Sequence, residues 1–155
     1  MPGQEEKFRS QLQQAFWYAD QLACPRIHVF AGLVTGAIEG TSVADMSATY
    51  VNNLRYAAPL SKEKGITIVL EPISPVAIPH YFLNLTSQAA ALIAQVNEAN
   101  VRLQLDLYHA QMTHGNLANT LKENIAIIDH IQISNCPGKS LSYLVLCGLL
   151  QHWTL

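Results

Sequence analysis

Short apolar runs alternate with amphipathic stretches along the whole chain. Residues 27–31, 66–71, 101–106 and 130–134 are each brief, aliphatic and rich in β-branched side chains. Their nearly continuous apolar character predicts parallel strands covered on both faces. Between them the apolar period changes. Phe8, Leu12, Ala15, Ala19 and Leu22 fall on one face of a predicted helix. Ser42 with Asp45 reads as a capping box for a second helix, striped by Met46, Tyr50, Leu54 and Ala57 and stopped by Gly65. Thr86 opens and caps a third, whose stripe is Ala89, Leu92, Ile93 and Val96. Leu117, Leu121, Ile125 and Ile128 mark a fourth. A helix before each of four strands predicts an α/β fold with a parallel sheet and right-handed crossovers.

Two architectures satisfy that order, an open doubly wound sheet and a (β/α)8 barrel. The open sheet usually carries a glycine-rich phosphate turn after its first strand. Here the glycines of Ala31-Gly32-Leu33-Val34-Thr35-Gly36 lack the GxGxxG or GxxxxGK[ST] spacing and read as loop residues. A complete barrel needs at least about 200 residues. At 155 residues, a barrel reading means a partial (β/α)8 TIM barrel of about four strands.

Composition narrows the function classes. Half the residues are hydrophobic, 13% are charged and the formal net charge is −2. This argues against a disordered chain and against nucleic-acid binding, which calls for a basic stripe. No apolar run approaches the ~18 residues of a membrane span. The polar first fourteen residues lack the apolar core of a secretory signal. Cys24, Cys136 and Cys147 are an odd set with no CxxC, which fits buried thiols in a reducing compartment and a cytoplasmic location.

The strand ends are where chemistry concentrates in α/β folds, and here they are polar. The second strand ends in Glu71 and the third in Asp106, with Tyr108 and His109 just beyond; the fourth carries Gln132 between two isoleucines. Alternation puts Thr67, Val69 and Glu71 on one face, and Gln104 with Asp106 on one face. If these faces look into a barrel, Glu71, Asp106 and Gln132 converge on its mouth. Two carboxylates and an amide oxygen form a hard donor set suited to Mg²⁺ or Mn²⁺. The same carboxylates suit general-base removal of a proton beside a carbonyl. Blander roles stand beside these. An acid at a strand end also caps the next helix, and a lone Gln fits a satisfied core amide. His28 and His130 read as structural strand residues, and His80 as a loop residue.

Leu70-Glu71-Pro72-Ile73-Ser74 with Pro79-His80-Tyr81-Phe82-Leu83 resembles the fifth strand and loop of the hydroxypyruvate isomerase family. Gln104-Leu105-Asp106-Leu107-Tyr108-His109-Ala110-Gln111 is similar to that family's sixth strand, and His130-Ile131-Gln132-Ile133 to its seventh. His28-Val29-Phe30-Ala31-Gly32 is similar to the fourth, and Asn52-Asn53-Leu54-Arg55-Tyr56-Ala57 to the helix before the fifth. The resemblance covers roughly residues 5 to 138, and the combined order and spacing carry it. It implies a xylose-isomerase-like partial TIM barrel over residues 1–138. It also implies interconversion of hydroxypyruvate and 2-hydroxy-3-oxopropanoate through an enediolate, with a small hydroxy-keto acid as the partner molecule. Glu71 is then the catalytic carboxylate and a metal ligand, with Asp106 and Gln132 as further ligands of a divalent cation, Mg²⁺ or Mn²⁺. His109 is expected to bind substrate oxygens, and His80 to belong to the substrate loop.

The chain departs from the family in two ways. It starts at the helix before the family's fourth strand. After Gly138 it continues as a divergent apolar tail, residues 139–155, where the family has an eighth strand ending in a second catalytic Glu; no acidic residue follows Asp129. A four-stranded sheet is expected to leave two open edges, with self-association through them and reduced or no turnover. The competing readings are a non-catalytic truncated form acting through association and a related sugar epimerase or isomerase.

Overall fold

The computed structural model describes residues 2–36 and 39–139; the tail beyond Lys139 lies outside the described residues. The element order is α1 (Glu5–Gln21), β1 (Arg26–His28), a 3₁₀ turn (Val34–Gly36), α2 (Val43–Glu63), β2 (Thr67–Leu70), α3 (Thr86–Val96), β3 (Val101–Asp106), α4 (Leu107–Thr113), α5 (Leu117–Asn124) and β4 (Ile128–Gln132). The strands form one sheet in the order β1-β2-β3-β4, all neighbours parallel. Sequential parallel strands lying side by side are the repeat of a (β/α) barrel.

The sheet curls. Arg26 opens β1 and Asp129 lies in β4, at opposite edges, yet their side chains form an ion pair. In a flat sheet three strand spacings of about 4.8 Å would separate these edges, beyond the reach of the pair. The bond therefore closes over a concave face. A bulge assists it: Leu103 pairs with Ile128 but Gln104 with His130, so Asp129 is the extra residue on β4. Arg26 is 41% exposed and Asp129 27%. Such a pair contributes at most about 1 kcal/mol, and its value is as a marker of curvature.

The opposite face of the sheet packs on the helices. Ile68 and Leu70 of β2 and Leu103 and Leu105 of β3 are fully enclosed with Leu54 of α2 and Leu92 of α3. Ser42 caps α2 as its sequence predicts: its Oγ accepts from the Asp45 N–H (3.1 Å) and the Asp45 carboxylate accepts from the Ser42 N–H (2.9 Å). Thr86 differs from expectation. Leu85 occupies the N-cap position without a side-chain bond, and Thr86 is the first helical residue, its hydroxyl 3.3 Å from His114 Nε2.

Several boundaries also move. Strand β1 is shorter than predicted, because beyond His28 the chain turns into a loop. The fourth helical stripe ends at Asn124, and Ile128 opens β4 instead. The short helix α4 has no counterpart among the predicted elements; it starts directly at the end of β3, capped by Asp106.

The burial pattern ranks the costs of mutation. Leu103→Ala is expected to lose about 2–5 kcal/mol, since a fully enclosed side chain leaves a cavity. Ser42→Ala is expected to lose about 1 kcal/mol from an exposed cap. Urea unfolding of both variants checks the order.

Candidate active site

At the C-terminal end of the sheet a cavity of about 540 Å³ is lined by Glu71, Asp106, His109, Gln132 and Lys139, with Phe30, Ile73 and Ile78 among its apolar walls. Each polar group arrives for a local reason. Glu71 directly follows β2, on the face of Thr67 and Val69. Asp106 is the last residue of β3 and the N-cap of α4. His109 sits three residues later, on the first turn of α4, which returns it over Asp106.

Both carboxylates are tied by one oxygen and leave the other facing inward. Glu71 Oε2 accepts from the Gln104 amide (2.8 Å) and lies 3.2 Å from His28 Nδ1. Asp106 Oδ1 accepts from the Tyr108 N–H (2.8 Å). The remaining oxygens, Glu71 Oε1 and Asp106 Oδ2, stand 3.8 and 3.6 Å from His109 Nε2. Asp106 thus fills both roles that a strand-end acid can have, helix cap and site group.

The tautomer of His109 follows from its surroundings. The buried Ser74 N–H donates to Nδ1 (3.4 Å). That N–H is fixed, because the loop after β2 closes on itself: the Ile73 N–H donates to Leu83 O (2.9 Å) and the Asn84 amide donates to Ile73 O (3.1 Å). Lys139 Nζ, on an exposed and rotatable chain, is 3.4 Å from Nε2. The fixed donor decides, so Nδ1 accepts and Nε2 carries the proton in the neutral ring. Burial lowers the His109 pKa, opposed by the Asp106 charge and reinforced by Lys139.

Burial, with the nearby Asp106 charge second, raises the Glu71 carboxyl from 4.5 to about 7, against the lowering pull of the Gln104 bond and Lys139. A carboxylate poised near neutrality is suited to accept and return a proton.

Of the residues expected from the sequence, Glu71, Asp106, His109 and Gln132 come together in this cavity. His80 does not. It is exposed, outside the lining, and its carbonyl accepts from the Val34 N–H (2.8 Å), which pins the loop after β1 to the loop after β2. Two further residues enter that sequence reasoning left outside the site. Gln104 donates through one amide nitrogen to both Glu71 Oε2 and Gln132 Oε1 (3.1 Å). Its position on the face of Asp106 was the available signal. His28 has the sequence pattern of a structural strand residue, and only the packing of β1 against β2 reveals its contact with Glu71. Burial lowers the His28 pKa from 6.5 to about 4, so the ring is neutral at physiological pH.

Glu71, Asp106 and His109 offer ligand atoms within 4.8 Å of one another. One octahedral ion with bonds of about 2.1 Å separates its ligands by about 3.0–4.2 Å, so a group spread over as much as 4.8 Å would close slightly around a single cation. The donor set favours oxygen ligands, because His109 presents an N–H to the cavity and not a lone pair. Gln132 Oε1 has a second lone pair beyond its bond to Gln104.

Parallel βα units with polar side chains gathered at the strand ends define a partial (β/α) barrel. The chain belongs to the xylose isomerase-like TIM barrel family, whose profile it matches over residues 2–146. It is 37% identical over 139 residues to the hydroxypyruvate isomerase of Escherichia coli, covering 90% of this chain and 53% of that protein. It is 39% identical over 139 residues to the 2-oxo-tetronate isomerase of Cupriavidus necator, covering 90% of this chain and 52% of that one. The crystal structure titled AP endonuclease, family 2, from Brucella melitensis superposes with a TM-score of 0.84 at 32% identity, over 98% of this chain and 60% of the other. The chain therefore spans about half the length of the curated relatives it matches. No helix among the described residues is long and apolar enough to cross a membrane.

The shifted groups set opposing pH dependences. Glu71 binds its proton more tightly when folded, so its contribution to stability falls as pH rises from 4.5 to about 7. His28 binds its proton less tightly when folded, so its contribution rises with pH from about 4 to 6.5. Glu71→Gln removes the falling part. Its unfolding free energy in urea is expected to climb more steeply between pH 4.5 and 6.5 than that of the wild type; parallel curves would show that Glu71 ionises normally.

Proposed function

We propose that this cavity carries out proton transfer beside the carbonyl of a short hydroxy-keto acid, interconverting hydroxypyruvate and 2-hydroxy-3-oxopropanoate. The observation that carries the reading is Glu71, buried with its carboxyl raised to about 7 and with Oε1 turned toward the cavity beside the His109 Nε2–H.

In this reading Glu71 removes a proton from C3 of hydroxypyruvate. The electron pair forms the C2–C3 double bond of an enediolate, and negative charge moves to the C2 oxygen. The His109 N–H donates to that oxygen, an electrostatic term that grows as charge develops. The proton held on Glu71 returns to C2, the C3 hydroxyl proton passes to the C2 oxygen, and C3 becomes the aldehyde. Lys139, at the rim, matches the substrate carboxylate in charge. Glu71, Asp106 and Gln132 would hold a divalent cation, Mg²⁺ or Mn²⁺, which when bound supplies Lewis-acid stabilisation of substrate oxygens. Hydroxypyruvate and 2-oxo-tetronate, the substrates in the two relatives' names, share the hydroxy-keto acid unit that this chemistry needs. A net charge of −2 disfavours a polynucleotide substrate.

The test is solvent exchange. Hydroxypyruvate incubated in D₂O with the purified chain and Mn²⁺ is expected to gain deuterium at C3, read by proton NMR, even where net turnover is slow. Glu71→Gln is expected to lower the rate about 10²–10⁴-fold. Equal exchange by the variant would remove Glu71 from the proton path.

A further inference from the structure

We propose that His28 is a positioning residue for Glu71: with its proton on Nδ1 it holds Oε2 together with the Gln104 amide, so that Oε1 is the carboxylate oxygen presented to the cavity. The inference rests on the reading of Glu71 as the acting carboxylate and adds the residue that orients it.

Three observations support it. His28 ends β1, and β1 pairs with β2 so that His28 lies opposite Val69, on the face that carries Glu71. Its Nδ1 lies 3.2 Å from Oε2 while Gln104 approaches the same oxygen at 2.8 Å. A side-chain carboxylate turns freely about its last bond unless one oxygen is distinguished from the other. Two donors converging on Oε2 supply that distinction, and Asp106, whose Oδ1 is tied by the Tyr108 N–H, follows the same pattern.

The ring itself is packed on one face. It stacks on Phe30 with centroids 4.4 Å apart and planes 29° from parallel. Its other nitrogen, Nε2, is buried and has no hydrogen-bond partner among the described residues. A nitrogen in that setting is better left as a bare lone pair than as an unmatched N–H, and this sends the ring's single proton to Nδ1, toward Glu71. An aliphatic side chain would fill the same space without burying an unmatched nitrogen. The imidazole is thus explained by what Nδ1 does and not by packing.

Two measurements on the full chain test this. Long-range ¹H–¹⁵N NMR of the metal-free protein is expected to show His28 as the Nδ1–H tautomer; an Nε2–H signature overturns the proposal whether or not any metal binds. Mn²⁺ titration followed by electron paramagnetic resonance then reads the effect on Glu71. His28→Leu is expected to weaken binding about 10–100-fold, as loss of an outer-shell partner does, with the far-ultraviolet circular dichroism spectrum unchanged. His28→Asn, whose amide nitrogen can occupy the place of Nδ1, is expected to restore most of the affinity. Wild-type affinity in His28→Leu, or equal weakness in both variants, overturns the proposal. A wild-type chain that takes up no Mn²⁺ while showing the Nδ1–H tautomer would instead count against the metal reading and leave the orientation of Glu71 supported.

Discussion

A carboxylate buried at the end of β2 is the constraint around which the cavity is organised. Glu71 is only 7% exposed, and burying an uncompensated charge is costly enough that proteins pair it or neutralise it. This chain does some of each. The Gln104 amide and His28 face one oxygen, while desolvation and the Asp106 charge move the group toward a mixture of protonated and ionised forms near neutral pH. A fully solvated Glu would be a weak base, and one paired with an Arg would hold its charge too firmly to take a proton. The intermediate arrangement gives a carboxyl near its protonation midpoint at neutral pH, with one oxygen left facing the cavity.

That arrangement requires four strands in a fixed register. Gln104 from β3 reaches Glu71 after β2 and Gln132 at the end of β4, while His28 reaches in from β1. All four side chains occupy the concave face, and they meet because the sheet is curved enough for Arg26 and Asp129 to join across it at the other end. The bulge that supplies Asp129 lies on the strand that brings Gln132 to the cavity. The ion pair is too exposed to add much stability, and the sheet rests on its helix-packed face, where Leu54, Ile68, Leu70, Leu103 and Leu105 are enclosed. The curl turns four strand ends toward one another.

The loops add a second level of positioning. Tyr81 Oη accepts from the Ala31 N–H (3.0 Å), and the Tyr50 hydroxyl donates to Val29 O (2.6 Å), so the chain leaving β1 is anchored by groups from α2 and from the loop after β2. The same loop holds the Ser74 N–H against His109 and so decides which imidazole nitrogen carries the proton toward the carboxylates. Among the described residues His80 makes its hydrogen bond through its backbone carbonyl. A histidine in a loop beside the site is a reasonable candidate from sequence, but its left-handed backbone (φ 63°) accompanies a side chain in solvent.

The sequence by itself determined the α/β order, the parallel strands and the residues at their ends. Val101–Asp106 emerges with the bounds its pattern predicts, because strand alternation and apolar continuity are local properties. Ser42 with Asp45 is legible for the same reason, since a capping box is completed within four residues. Glu71, Asp106, His109 and Gln132 could be named because polar residues at strand ends break an otherwise apolar pattern. The end of the last helix was not legible: Ile125 and Ile128 continue a helical stripe as readily as they begin a strand. Only the tertiary structure decided that Asp106 is both cap and site group, that Gln104 bridges two strands, and that His28 meets Glu71. Those contacts join residues far apart in the chain, through sheet pairing and curvature that no local pattern encodes.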